Sequence, residues 1–349
     1  MTELPNPLFA SDNYAPAHPD VLAALAAAND GPAISYGEDP WTDRLRERIR
    51  AEFGADAEAY PVFNGTGANV VAVTALSPRF GGVLAAESAH LATDENAAPQ
   101  AIGAVHLLTV PAVEGRITMA GLDAVLAGYR PVHSARPAVL TLTEPTELGT
   151  LYTLPELTRL AAAAHARGLA VHLDGSRLWN AAAALGCRFS DFAACGIDAL
   201  SLGATKVGAL GAEAVVVLRP ELCAGVEDVR KASTQLASKM RYLSAQLLAL
   251  FDDDLGLRLA ERGNRAAARL RRAVETLPGA AFAAPTETNS VFPVLDRTVA
   301  ARLRETYRFY DWDPAAGSVR WMCPWSATDA DVDAFAAAVA EASGAARPE

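Results

Sequence analysis

From about residue 20 to 220 the chain alternates short apolar, β-branched runs, bounded by Gly, Pro or Asp, with segments of helical period. That order suits an α/β domain built on a mostly parallel sheet with helices on its faces. The runs predict strands at 60–63, 83–86, 105–108, 138–143, 169–174, 199–202 and 214–218. Between two of them, 154–167 predicts an amphipathic helix with Leu157, Leu160, Ala161 and Ala164 on one side and a stop at Gly168. From Glu221 to about Leu250 there is no Gly or Pro after Gly225, which predicts one long helix leaving the sheet. Beyond it, a helix over 255–277, short strands near 290–294 and 319–322, and a helix over about 329–342 predict a smaller α+β domain. The expected division is an N-terminal arm over 1–19, a large domain over 20–251 and a small C-terminal domain over 252–349.

Composition narrows the function. The 349 residues are 51% hydrophobic, enough for a large core, and carry a formal net charge of -11. Phosphate polymers and anionic membranes would be repelled, so a small-molecule partner is expected, with no nucleic acid and no membrane. Cys187, Cys195, Cys223 and Cys323 show neither paired spacing nor histidine neighbours, so no metal and no disulfide framework is expected. The start of the chain shows no secretory pattern and no apolar run is long enough to span a bilayer, which makes the cytoplasm the expected compartment.

Three local patterns carry chemistry. Gly65-Thr66-Gly67, after a strand and before a helical run, suits an anion, because small residues admit it to backbone N–H groups at a helix N-terminus. The same turn also reads as ordinary tight-turn chemistry, or as half of a dinucleotide pattern with Glu87 as the ribose acid and Val70 in place of the third glycine. Asp174 ends a hydrophobic strand, where a buried carboxylate calls for a cationic partner such as a protonated pyridine nitrogen. His172, two residues earlier on the same face, either orients Asp174 or is a hydrogen-bonded core histidine. Lys206 follows another strand amid apolar residues, which favours its neutral amine as a nucleophile toward an aldehyde. Alone it would read as a loop lysine. In one α/β domain, however, an anion turn, a strand-end Asp and a strand-end Lys supply the phosphate site, ring partner and Schiff-base amine of pyridoxal 5'-phosphate.

The same residues, with Ser11-Asp12-Asn13, the Tyr36–Pro40 run, Ala68-Asn69, Ala89-His90, Glu95, the Thr146–Thr153 run, His172–Arg177, Gly203–Gly208 and Ser238–Arg241, resemble the threonine aldolase family of fold-type-I pyridoxal-phosphate enzymes. The resemblance implies a carbon–carbon lyase that cleaves β-hydroxy-α-amino acids to glycine and an aldehyde. It implies His90 stacked on the cofactor ring and moving a proton. It also implies Ser11, Arg177 and Arg320 on the substrate carboxylate, for which guanidinium forks are suited. Bland alternatives stand beside these: a loop histidine, an arm serine, a surface-strand arginine. A homo-oligomer, dimer or tetramer, is implied too, with Lys231, Lys239 and Arg241 reaching a neighbour's phosphate or lying on a solvated face. Val207 and Ser176 stand where the family often has Asn and Ala, which bears on substrate preference. The Thr146–Gly149 segment is similar to the phenylserine aldolase branch and implies a bulky β-substituent. Competing readings are another pyridoxal-phosphate lyase, racemase or aminotransferase, a nicotinamide oxidoreductase, and a non-catalytic scaffold.

Overall fold

A computed structural model of the chain describes residues 4–344. Seven strands form the central sheet: β1 (Glu58–Val62), β2 (Gly81–Ala86), β3 (His106–Val110), β4 (Arg136–Thr143), β5 (Ala170–Gly175), β6 (Ala199–Gly203) and β7 (Glu213–Val217). Their order is β1-β7-β6-β5-β4-β2-β3. Only β7 runs against the others. Each predicted strand is present to within two residues at either end. Strands buried on both faces are continuous apolar runs, which is why they are legible.

Helix α1 (Gly65–Leu76) begins four residues before its apolar period does, because the Asn64 side chain accepts the Gly67 N–H at 2.7 Å and caps it. Helix α2 (Leu154–His165) starts at a Thr153–Glu156 capping box and buries Leu157, Leu160, Ala161 and Ala164, ending two residues short of the expected helix end at 167. Helix α3 (Leu178–Leu185) follows β5.

The long helix expected over 221–250 does not form. A 3-10 turn at Pro220–Leu222, helix α4 (Val226–Ala232) and helix α5 (Arg241–Phe251) replace it. The break has a tertiary cause. Thr234 takes a left-handed φ of 62°, and Gln235 Oε1 accepts the Phe63 N–H at 3.0 Å. The Gln235 side chain occupies the space above Gly67, where a Cβ would lie 2.3 Å from its Cδ. Thus the glycine turn and the break in the helix fit one another.

Helix α6 (Leu255–Glu275) links two cores. Its first half places Leu255, Leu259 and Ala260 in the core of the large sheet. Its second half places Ala266, Ala267, Leu270 and Val274 in a second cluster with Trp321 and Phe335. That cluster lies on the small sheet of β8 (Ala281–Phe282), β9 (Ser290–Val291), β10 (Pro293–Val294), β11 (Tyr310–Asp313) and β12 (Ser318–Met322), closed by helix α7 (Asp329–Ala342). The arm is tied to the same cluster. Phe9 stacks on Phe335 at 4.5 Å, and the Met322 N–H donates to Phe9 O at 2.9 Å. Residues 11–13 are thereby fixed where the arm passes from the small sheet to the large one. Among the described residues no helix is long and apolar enough to cross a membrane.

Candidate active site

The carboxyl ends of β5 and β6 set the geometry. The two strands are parallel neighbours with Asp174 opposite Ser201 and Gly175 opposite Leu202. Past that register they stay in close contact, because Gly203 has no side chain: a Cβ there would lie 2.2 Å from Ser176 O. The buried Trp179 indole donates to Gly203 O at 2.7 Å and holds the approach. Arg177 and Lys206, the next charged residues on the two segments, therefore face one cavity. Glu213 at the start of β7 accepts the Ala204 N–H at 2.7 Å and the Thr205 N–H at 3.4 Å, fixing the turn that carries Lys206. Burial, and then the Arg177 charge, hold the Lys206 amine below its usual range. Burial pushes the Glu213 carboxyl up, against its hydrogen bonds and the Lys206 charge.

Asp174 is 2% exposed. It accepts the Asn69 Nδ2–H at 2.9 Å and the Ser176 N–H at 3.0 Å. Neither donor is charged, so among the described residues this buried carboxylate has no cation bonded to it. His172 does not orient it. The imidazole bonds Ser201 Oγ through Nε2 at 3.1 Å, and burial, opposed by the Asp174 charge, depresses its pKa to about 4. His172 is a neutral core histidine. The orienting role belongs to Asn69, projected from α1 across the strand ends.

Asn69 extends the network. Its Nδ2 also donates to Glu95 Oε1 at 2.8 Å, and that oxygen lies 3.0 Å from His90 Nδ1. The Glu95 bond, against burial and aided by the Glu147 charge, raises the His90 pKa above the ordinary imidazole value. Burial likewise pushes the Glu95 carboxyl up, against its bonds to His90 and Asn69. Nδ1 is committed to the carboxylate, which leaves Nε2 available to the cavity. The His90 backbone N–H donates to Glu147 Oε1 at 3.3 Å.

The cavity, about 570 Å³, is lined by Ser11, His90, Arg177, Lys206 and Arg320, with Tyr310 and Trp312 on the small-domain side. Arg320 reaches it from β12 between buried Val319 and Trp321. Its Nε has no partner among the described residues, and its guanidinium lies 6.0 Å from the Trp312 ring. Burial and the neighbouring Arg177 charge lower its pKa. Ser11 accepts the Asn13 N–H at 3.3 Å, capping the turn beside it. Arg177 donates from Nε and Nη2 to Asp12 at 2.6 and 3.0 Å. Although burial opposes it, this pair holds the Asp12 carboxyl near 2.

Five sequence candidates thus share one cavity, with Asp174 behind it. Gly65, Thr66 and Gly67 do not line it. They open α1, the helix that carries Asn69, and the Gly65 and Thr66 N–H groups have no partner among the described residues. Lys231, Lys239 and Arg241 lie elsewhere: Lys231 Nζ sits 5.2 Å from the Tyr36 ring, and Arg241 donates to Gly31 O at 2.8 Å. The linking roles of Asn69, Glu95 and Glu147, and the pairing of Asp12 with Arg177, were not legible in the sequence. Glu213 left one signal, a lone acid opening an otherwise apolar strand.

A family model described as "Beta-eliminating lyase" matches residues 9–298. A low specificity L-threonine aldolase of Pseudomonas aeruginosa is 37% identical over 328 residues, covering 93% of this chain and 94% of that protein. Another of that name, from a Pseudomonas species, is 37% identical over 332 residues, covering 94% and 96%. Among solved structures, a Leishmania major threonine aldolase superposes with a TM-score of 0.90 at 27% identity, covering 95% of this chain and 98% of that one. A Catharanthus roseus tryptophan decarboxylase, at a TM-score of 0.76 and 14% identity over 99% of this chain and 85% of that one, shares the fold.

Proposed function

The chain belongs to the beta-eliminating lyase family and within it to the threonine aldolases, and from that premise we propose that it cleaves β-hydroxy-α-amino acids to glycine and an aldehyde with pyridoxal 5'-phosphate. The observation that carries the reading is the placement of the Asp174 carboxylate and the Lys206 amine at adjacent strand ends, with two arginines in the same cavity.

The residues fit that cofactor. Asp174 is a buried carboxylate whose two bonded donors are neutral, and it would hold the ring nitrogen. Lys206 is an amine with a lowered pKa and would hold the aldehyde. The unpartnered amides at the start of α1, with Gly65, Thr66 and Gly67 around them, would hold the phosphate. When bound, pyridoxal phosphate supplies an electron sink for the pair left on Cα as the Cα–Cβ bond breaks.

The chain's own groups do the rest. Arg177 and Arg320 bind and orient the substrate carboxylate, with Ser11 beside them. His90 Nε2 takes the β-hydroxyl proton, whose loss turns the β-carbon into the aldehyde, and a proton delivered to Cα then completes glycine. Glu95 keeps His90 in the tautomer that leaves Nε2 free. Asn69 fixes Asp174 and Glu95 together, so ring partner and base share one hydrogen-bonded frame. A homo-oligomer completes the reading, a second copy covering the exposed Phe63 beside the α1 N-terminus.

Product analysis with threonine and phenylserine tests the function. Stoichiometric glycine and aldehyde are expected. Ammonia with a keto acid would replace this reading by β-elimination, and no turnover of either substrate would remove it.

The His90–Glu95 contact adds a pH dependence. Protonated Nε2 cannot accept the hydroxyl proton, so kcat/KM should fall as pH drops through the raised His90 pKa. Glu95→Gln removes the carboxylate that raises it. The acidic limb should then move to lower pH, along with a lower plateau; a limb that stays in place would show that His90 is not the group titrating.

A further inference from the structure

Arg177 has five N–H donors arranged along two usable edges, one through Nε and Nη2 and one through Nη1 and Nη2. Asp12 fills the first edge, with Oδ2 2.6 Å from Nε and Oδ1 3.0 Å from Nη2. Nη1 has no partner among the described residues, and Arg177 lines the cavity. Asp12 is itself 1% exposed and takes a third bond, from Asn289 Nδ2 at 3.1 Å. That amide also donates to Cys323 O at 3.2 Å, so the carboxylate is gripped from the small domain as well. The backbone around Asp12 is fixed too, by the Ser11 cap on one side and Phe9 in the small-domain core on the other.

We propose that Asp12 is a positioning residue for substrate recognition: by occupying the Nε edge of Arg177 it presents the Nη edge to the α-carboxylate of the amino-acid substrate. The proposal rests on the functional reading above. An arginine on a long side chain samples many rotamers, and one edge held by a buried, doubly anchored carboxylate restricts them before substrate arrives. Charge balance points the same way. Arg177 and Arg320 share a cavity that Asp94, Glu147 and Asp311 also line, and Asp12 pairs with the Arg177 charge without itself lining that cavity. Because Asn289 and Phe9 tie Asp12 to the small domain, the position of that domain reaches Arg177 through this contact, as it reaches the cavity directly through Arg320 on β12.

The test is calorimetric titration of cofactor-loaded protein with glycine, which has the carboxylate, and with glycinamide, which lacks it. Wild type should prefer glycine. Asp12→Asn removes the charge at nearly constant shape and should lower glycine affinity by about 10–100-fold, the size of a charge-assisted hydrogen bond, with glycinamide affinity unchanged. Asn289→Ala, which loosens Asp12 without touching Arg177, should lower glycine affinity by about threefold, again leaving glycinamide alone. It serves if the Asp12 variant does not fold, which a melting curve shows. An equal change for both ligands, an unchanged preference, or tighter glycine binding in the variants would overturn the positioning role. A wild type that binds neither probe would overturn the functional reading and this proposal with it.

Discussion

Lys206→Ala is expected to lower kcat by about a thousandfold or more, equivalent to about 4 kcal/mol of transition-state stabilisation, while the protein stays folded. Among the described residues no other amine lines the cavity. Lys231 and Lys239, the two other lysines of the chain, do not line it. Fold stability should survive because the amine is already disfavoured where it sits: burial and the Arg177 charge both penalise its protonated form. The turn that carries it is held by Glu213 through backbone N–H groups, which the substitution leaves in place. Melting temperature and kcat should therefore separate. Partial rescue by added methylamine would locate the loss at the amine. A variant with more than about a tenth of wild-type kcat would remove Lys206 from the chemistry.

Asp174→Asn should be the second most damaging change, lowering kcat by about 100-fold or more and weakening pyridoxal-phosphate binding. Asp174 receives two donors, Asn69 Nδ2 and Ser176 N, on separate oxygens. An asparagine amide can accept on one of them only, so one donor is left facing an NH₂ group. The larger effect is loss of the charge that a protonated ring nitrogen requires. Without cofactor the sign for stability reverses. A buried carboxylate with no cation bonded to it is a cost to the fold, and its neutral isostere should melt no lower than the cofactor-free wild type. Absorbance titration gives the cofactor affinity, steady-state kinetics the rate, and melting of the cofactor-free forms the third quantity. A near-normal kcat in this variant would separate Asp174 from the reaction.

Much of the scaffold was legible because its signals are local. Each of the seven large-sheet strands is an apolar run closed by a turn former, and Gly203 and Asp174 stand where such runs end. The division of the 221–250 segment was not legible, since its cause lies in Gln235 meeting a glycine turn about 170 positions earlier. A window without Gly or Pro says only that no local breaker exists. Period-two alternation correctly put His172 on the Asp174 face, yet it does not say which neighbour wins the hydrogen bond. Ser201 on the adjacent strand took the imidazole, and Asn69 on the crossing helix took the carboxylate. The Asp12–Arg177 pair spans 165 positions and carries no pattern in either segment. The cavity residues Ser11, His90, Arg177, Lys206 and Arg320 were candidates, and packing supplied the Asn69–Glu95 bridge that joins His90 to Asp174.

The most direct measurement is to load the purified protein with pyridoxal phosphate, reduce with borohydride, digest, and map the adduct by mass spectrometry. With three lysines in the chain, the result is unambiguous. A single pyridoxyl adduct on the peptide carrying Lys206, absent from Lys206→Ala, is the expected result. No adduct, or one confined to Lys231 or Lys239, would contradict the account.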